Sequence, residues 1–231
     1  ITTTFAMTNL NQETAGFVQG TDAYRDSTSK RANPNPEAYR DARSLRLYSR
    51  MALTTASGNT VIVTPYLRDT DMAFLQHFLP GQPLEENSHS SVGIQSSWYG
   101  GSNRYALSFG MDGEITSGDL RETQVSPTAG SAFLVATIPT GTHYDYSVDA
   151  TVLAAFGQVD ITLNDALTLV AGLRAERVGY DYDNRHLDGR SRNDGTNCGF
   201  GGCRFNRPAD RDDTFTNLFP KLSLIYKSGA G

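Results

Sequence analysis

The side chains in this 231-residue chain that could do chemistry are scattered rather than clustered. Its four histidines, His77, His89, His143 and His186, lie in or beside the long connections, and their surroundings, such as HFLP and HSS, are not hydrolase signatures. Nucleophilic or acid–base catalysis needs a nucleophile, a base and an orienting group in mutual reach, so no catalytic residue is assigned and the chain is not read as an enzyme. Met51, Met72 and Met111 with His77 could suggest soft-metal capture, but Met51 and Met111 fall on apolar strand faces. The acidic run Asp210–Asp213 could hold calcium and reads more simply as a solvated loop. Cys198 and Cys203, in NCGFGGC, are separated by a glycine-rich turn that lets the chain double back. A local disulfide fits that spacing, whereas a zinc site would need a second ligand pair that the sequence lacks; no metal is assigned. The densest binding chemistry is Tyr180, Tyr182, Arg185, His186, Arg190 and Arg192 in one charged stretch after Val178, with His77 and Phe78 in FLQHFLP. Singly, each also reads as an ordinary solvated or loop-packing group.

The elements that must position these residues are strands. Tyr146–Val178 reads as a long hairpin, with two alternating arms around an Asn164-Asp165 break. Leu153, Ala155, Gly157, Val159 and Ile161 share one face of the first arm, opposite Phe156, Gln158, Asp160 and Thr162. Leu167, Leu169, Ala171, Leu173 and Ala175 share the apolar face of the second, opposite Thr168, Arg174 and Glu176. Each arm holds about ten alternating residues, longer than the usual five or six and in the range of a transmembrane barrel strand. Similar runs occur at Ile1–Leu10, Leu45–Ala56, Thr60–Arg68, His89–Tyr99, Arg104–Ile115 and Asn217–Lys227. Pro65 lacks a donor and is expected near the end of its strand or at a bulge. The apolar SAFLVATI could be a further short strand and is left open.

The connections alternate. SGN, GGSN and ND are short; residues 11–44, 69–88, 116–145 and the stretch after Val178 are long, about 20 to 35 residues each. A compact soluble domain rarely carries four structureless loops of that length, while a membrane barrel has short turns at one end and long loops at the other. Trp98, Tyr99 and Tyr105 flank one short turn, where an interfacial aromatic girdle belongs. Arg46, Arg50, Gln95, Gln158, Asp160, Arg174, Glu176 and Lys221 would crowd a narrow barrel but suit the lumen of a wide one.

Composition agrees. Hydrophobic residues make up 38% of the chain, and no run reaches the 18 apolar residues of a transmembrane helix. A mean hydropathy of −0.41 is no objection, because only alternate barrel residues meet lipid. A net charge of −5 argues against nucleic acid as partner. The chain starts without methionine, inside a strand-like run, and is expected to be a piece of a longer polypeptide.

On these strands, AAFGQVDITLNDALTLVAGLRAERVGYDYDN resembles the barrel hairpin of TonB-dependent outer-membrane receptors, and FPKLSLIYK is similar to a later strand of that family. NLNQETAGFVQG and PYLR…FLQHFLPGQP resemble stretches of its ferric-siderophore members. The motif match covers about 80 residues; the earlier strands agree mainly in rhythm. The resemblance implies an all-β fold in which residues 1–231 form about eight antiparallel strands of a 22-stranded transmembrane barrel, with short periplasmic turns and long extracellular loops. The plug domain and TonB box of the family are not in this stretch. The implied setting is the bacterial outer membrane, with lipid, TonB and a small-molecule chelate as partners, no intrinsic cofactor, and a ferric siderophore as ligand. In such a receptor the loop residues Tyr180, Tyr182, Arg185, His186, Arg190, Arg192, His77 and Phe78 would contact the ligand, arginine by bidentate charge and aromatics by stacking. A passive porin-like channel or a soluble β-rich binding module are the alternative readings.

Overall fold

The computed structural model describes residues 1–228, and its strands form one antiparallel sheet. Its strands are β1 (Thr2–Glu13), β2 (Tyr39–Thr54), β3 (Thr60–Leu75), β4 (Leu84–Ser102), β5 (Tyr105–Gln124), β6 (Gly141–Asn164), β7 (Leu167–Asn184) and β8 (Arg211–Tyr226). They pair strictly in sequence order from β1 to β8. Such a meander needs only a turn between neighbours, and every ladder is antiparallel.

The strands run well past the lengths suggested by hydrophobic alternation, with β6 reaching 24 residues. The reason is chemical. Above the apolar stretch the residues keep pairing, but both faces turn polar, so the alternation used to find the strand fades while the ladder continues. The connections shrink accordingly. The link expected over 69–88 is reduced to the turn 76–83 between β3 and β4. The stretch left open as a strand, SAFLVATI, holds instead the short helix α1 (Ala132–Thr137), whose start is capped by Ser131 Oγ accepting from the Leu134 N–H at 3.3 Å. Pro65 sits in the interior of β3, paired with Ile94, and not at an end or a bulge. The ladder to β2 lapses beside it: no pairing joins Ser49 and Arg50 to Pro65 and Thr64. The missing N–H therefore costs no bond on the β4 side.

Register sorts every strand residue onto one of two faces. On one face, Trp98 stacks on Phe109 at 4.6 Å, and Met111 (66% exposed), Ile115, Leu153, Leu173, Leu218 and Leu222 are all exposed. From Tyr105 to Ile115, ten steps up β5, this belt contains no charged residue of β5. At about 3.3 Å per residue and a tilt near 40°, that spans about 25 Å, the height of the apolar band on a membrane barrel. The next rows up hold Asp69, Asp149, Asp181, Arg43, Asp71 and Asp119, so the belt ends abruptly. The opposite face holds Arg46, Arg68, Glu114, Asp112, Arg174, Glu176 and Lys221. Apolar out and polar in is the pattern of a wall between hydrocarbon and an aqueous lumen, and it would be unstable with the belt in water.

An arginine at Met111 tests this directly. Met111→Arg is expected to cost about 2–4 kcal/mol when the complete barrel is refolded into lipid vesicles and titrated with urea. Val148→Arg on the inner face should cost far less.

Candidate functional site

The inner face near the tips of the strands is the mouth of the wall. One register row crosses Arg40, Phe74, Glu85, Glu122 and Tyr144; the row below crosses Ala42, Met72, Asn87, Leu120, Tyr146 and Asn184; the next reaches Val148 and Tyr182. Alternation thus brings aromatic and polar side chains from six strands onto one surface. Tyr146 and Tyr182 lie 5.0 Å apart, Tyr180 meets Phe215 edge-on at 6.2 Å, and the Arg40 guanidinium sits 4.2 Å over the Phe74 ring. Glu85 accepts from Gln76 and from Asn87 Nδ2, the latter at 2.6 Å. Deeper in the wall Glu114 accepts from Tyr66, from Arg68 Nη2 at 2.5 Å and from Thr116, and Arg174 bridges Asp112 at 2.6 Å and Glu176 at 3.0 Å. These networks pair Arg68 with Glu114, and Arg174 with Asp112 and Glu176.

The loops above the mouth are built in two ways. The connection 185–210 is a packed cap with a buried cluster of its own, Cys198, Cys203 and Phe205, backed by Tyr144. Cys198 and Cys203 are joined by a disulfide. Phe205 stacks on His143 at 4.5 Å. His143 in turn bonds Glu122 at 2.9 Å and the Pro139 carbonyl at 2.8 Å. Arg207, 1% exposed, donates to the carbonyls of Leu187, Thr142, His143 and Ser191. Its Nη2 also donates to Ser191 Oγ at 3.3 Å and its guanidinium lies 5.0 Å over the Phe205 ring, so this buried cation, held by carbonyls, a hydroxyl and an aromatic face, is a structural pin. Main-chain bonds from Gly199 to Ala136 at 3.2 Å and from Arg204 to Thr137 at 2.9 Å weld this cap to the α1 connection. The other rim, formed by residues 14–38 and the 76–83 turn, is lighter. There Glu37 meets Gln82 Nε2 at 2.9 Å, and His77 lies between Phe17 (6.4 Å) and Phe78 (5.7 Å).

The sequence-selected residues divide along these lines. Tyr180 and Tyr182 line the inner face. His77 and Phe78 join Phe17 and Phe74 at the lighter rim. Arg185 leaves on the opposite, outward face, where it pairs with Asp119 at 2.6 Å. Arg190 is committed to the cap, its Nε donating to the Cys203 carbonyl at 2.8 Å. Arg192 is exposed at the cap surface. His186 is turned into the loop, its Nδ1 accepting from the Leu187 N–H at 2.7 Å. The arginine array suggested by adjacency in sequence is therefore dispersed. Alternation missed Arg40, Phe74, Glu85, Asn87 and Glu122, because they lie in strand ends that read as loop, and Tyr146, at the start of the hairpin, was not singled out as a binding residue. The signal that finds them is register counted upward from the apolar belt.

The model of the TonB-dependent receptor-like β-barrel matches residues 2–229. The chain belongs to the TonB-dependent receptors. Solved structures agree on the fold. The closed form of the ferric-catecholate import receptor Fiu of E. coli K12 superposes with a TM-score of 0.59 over 97% of this chain and 38% of that one, at 9% identity. Its open form gives 0.56 over 82% and 34%, at 13% identity. The copper transporter OprC gives 0.51 over 84% and 28%, also at 13%. This chain thus spans about a third of the length of those receptors. No curated protein matches it significantly. The eight-strand sheet is accordingly part of a transmembrane receptor barrel, with its apolar belt as the lipid face.

Two measurements test the cap. Arg207→Ala leaves several buried carbonyls unpaired and should loosen residues 185–210 by about 2–3 kcal/mol, read as amide exchange roughly thirtyfold or more faster there than in β6. Acidification should act on the same loop. Burial, and then the nearby Arg207 charge, lower the His186 pKa below its ordinary 6.5. The unfolded loop therefore takes up the proton first, so the contribution of neutral His186 is complete above about 6.5 and is lost as the pH falls from there toward the lowered value. Amide protection at Leu187 should fall as the pH drops below about 6.5 toward the lowered value, and a His186→Gln variant should lack that step.

Proposed function

We propose that this segment is part of an outer-membrane receptor that takes up a scarce nutrient by TonB-dependent transport, with a ferric siderophore as the cargo and residues 1–231 as part of its barrel domain. The family assignment over the whole described chain carries this reading. The lumen-facing mouth of aromatic and hydrogen-bonding groups, above a charged wall that includes the Arg68–Glu114 and Arg174–Asp112 pairs, is consistent with a ligand path. Tyr146, Tyr180, Tyr182 and Phe74 would supply stacking surface to the cargo, and His77 and Phe78 would contact it from the rim. Of the arginines that the sequence singled out, Arg192 is the one left available for an anionic chelate, with Arg185 and Arg190 held elsewhere. TonB would be engaged by parts of the complete receptor outside this segment. The likeness to the ferric-catecholate import receptor is one of fold, and it supports the receptor reading.

The test is uptake by cells. A strain lacking the complete receptor should lose energy-dependent import of at least one labelled ferric chelate, and a protonophore should abolish that import in the parent strain. Import that survives both treatments, or expression indifferent to iron, would sink the siderophore assignment. Persistent passive leakage of small solutes through the purified barrel would favour a porin-like channel.

A further inference from the structure

Among the described residues, the buried side-chain polar atoms without a partner in the protein are Thr14 Oγ1, Arg40 Nε, Gln76 Oε1, both ring nitrogens of His77 and Gln124 Oε1. They come from four separate places in the sequence, and register brings them to one. The Thr14 N–H bonds the Ala38 carbonyl, the Gln76 N–H bonds the Pro83 carbonyl, and both continue the ladders one inner-face row above Arg40, Phe74, Glu85 and Glu122. Gln124 reaches the same rim, its amide packed against Gly81, which holds a φ of 84° and where a Cβ would collide with that amide. Gln76 is 9% exposed and Gln124 1%. Buried polar groups in folded proteins are almost always paired, so this concentration at one rim of a receptor mouth points to groups that pair with something else.

We infer that this rim is a subsite for an uncharged, hydroxyl-rich group, a saccharide ring carried on the cargo or offered as a free sugar. The inference rests on the receptor reading above. The atom set decides the class. Gln76 and Gln124 offer carbonyl acceptors, Arg40 Nε a donor, the His77 imidazole one of each, and the Thr14 hydroxyl either. A metal ion is disfavoured, since His77 alone is a usual ligand and Arg40 is a cation. An anion is disfavoured because acceptors outnumber donors and Glu37 and Glu85 stand beside them. One amide group would satisfy only a donor and an acceptor. A ring of hydroxyls, each able to donate and accept, answers the mixed set, and the faces of Phe17, Phe74 and Phe78 suit its C–H surface. The cover is thin. Phe17 is 69% exposed and Phe78 50%, and one Glu37–Gln82 hydrogen bond is the side-chain bond joining the two covering segments. Displacing that cover opens the row to the lumen.

The complete receptor, purified in a detergent without a sugar headgroup, should show saturation-transfer NMR signals to at least one of the methyl glycosides of glucose, galactose and mannose. Gln76→Leu and His77→Ala should each weaken that binding by at least about tenfold while strand content by circular dichroism is unchanged. A Glu37→Cys, Gln82→Cys pair should block binding when oxidised and restore it on reduction, a control that does not depend on deleting the site. If the sugar is cargo-borne, a glucosylated ferric tris-catecholate should bind more tightly than its aglycone, and the difference should vanish in Gln76→Leu. If free sugar is the source, maltotriose should bind and the two catecholates should be equivalent. No transfer to any glycoside, or transfer indifferent to both substitutions, overturns the inference. Energised iron uptake without sugar binding would defeat this subsite alone, whereas sugar binding without energised uptake would defeat the transport reading alone.

Discussion

The antiparallel ladder from β1 to β8 is the constraint on which the rest depends. In hydrocarbon an unpaired backbone group costs several kcal/mol, so a membrane wall keeps gaps in its pairing few. With side-chain period two, a one-residue slip would turn a whole strand's belt into the lumen. The register departs from regularity in few places: at the Glu122/Thr123 bulge, near the Thr162–Asn164 turn, and in the lapse beside Pro65. The first two fall at strand ends, where a bulge can re-aim a side chain without exposing backbone to lipid. The Glu122/Thr123 bulge does so, since His143 beside it reaches both Glu122 and the cap.

Because the strands overrun the belt, the ladder also acts as a scaffold for the mouth. Rigid paired backbone carries Phe74, Glu85, Tyr146 and Tyr182 to fixed heights, which a loop could not do with the same precision. Above it the two rims differ in how they are held. The 185–210 cap has a disulfide, a buried aromatic cluster and Arg207 satisfied by carbonyls. The rim of residues 14–38 and 76–83 has one side-chain bridge and a row of unpaired polar atoms. Free energy of local opening follows such differences in packing and pairing, so the two halves of the mouth have unequal resistance to rearrangement.

Strand existence, the two faces of each strand and the wide-barrel lumen were legible in the sequence, because alternation is a local property and lipid enforces it residue by residue. Leu153, Met111 and Leu173 announced their face by spacing alone. Strand ends were not legible. Beyond Ile115 in β5 and below Leu153 in β6, both faces meet water, the selective pressure for alternation ends, and Asp119 or Asp149 in a strand looks like a loop residue. The helix at Ala132–Thr137 was likewise hidden, since a six-residue apolar run has no period long enough to separate helix from strand.

The amino-acid order by itself determined that this chain would pair in long antiparallel strands with an apolar outer face, and that Cys198 and Cys203 lie close enough to close a loop. Only the tertiary structure decided which residues share the mouth. Arg185 and Tyr182 are three apart in sequence yet stand on opposite faces, because neighbouring strand residues point in opposite directions. Thr14, Gln76 and Gln124 are far apart in sequence yet meet in one row, because register adds up across four ladders. Partnership across strands depends on that sum, and no local window of sequence contains it.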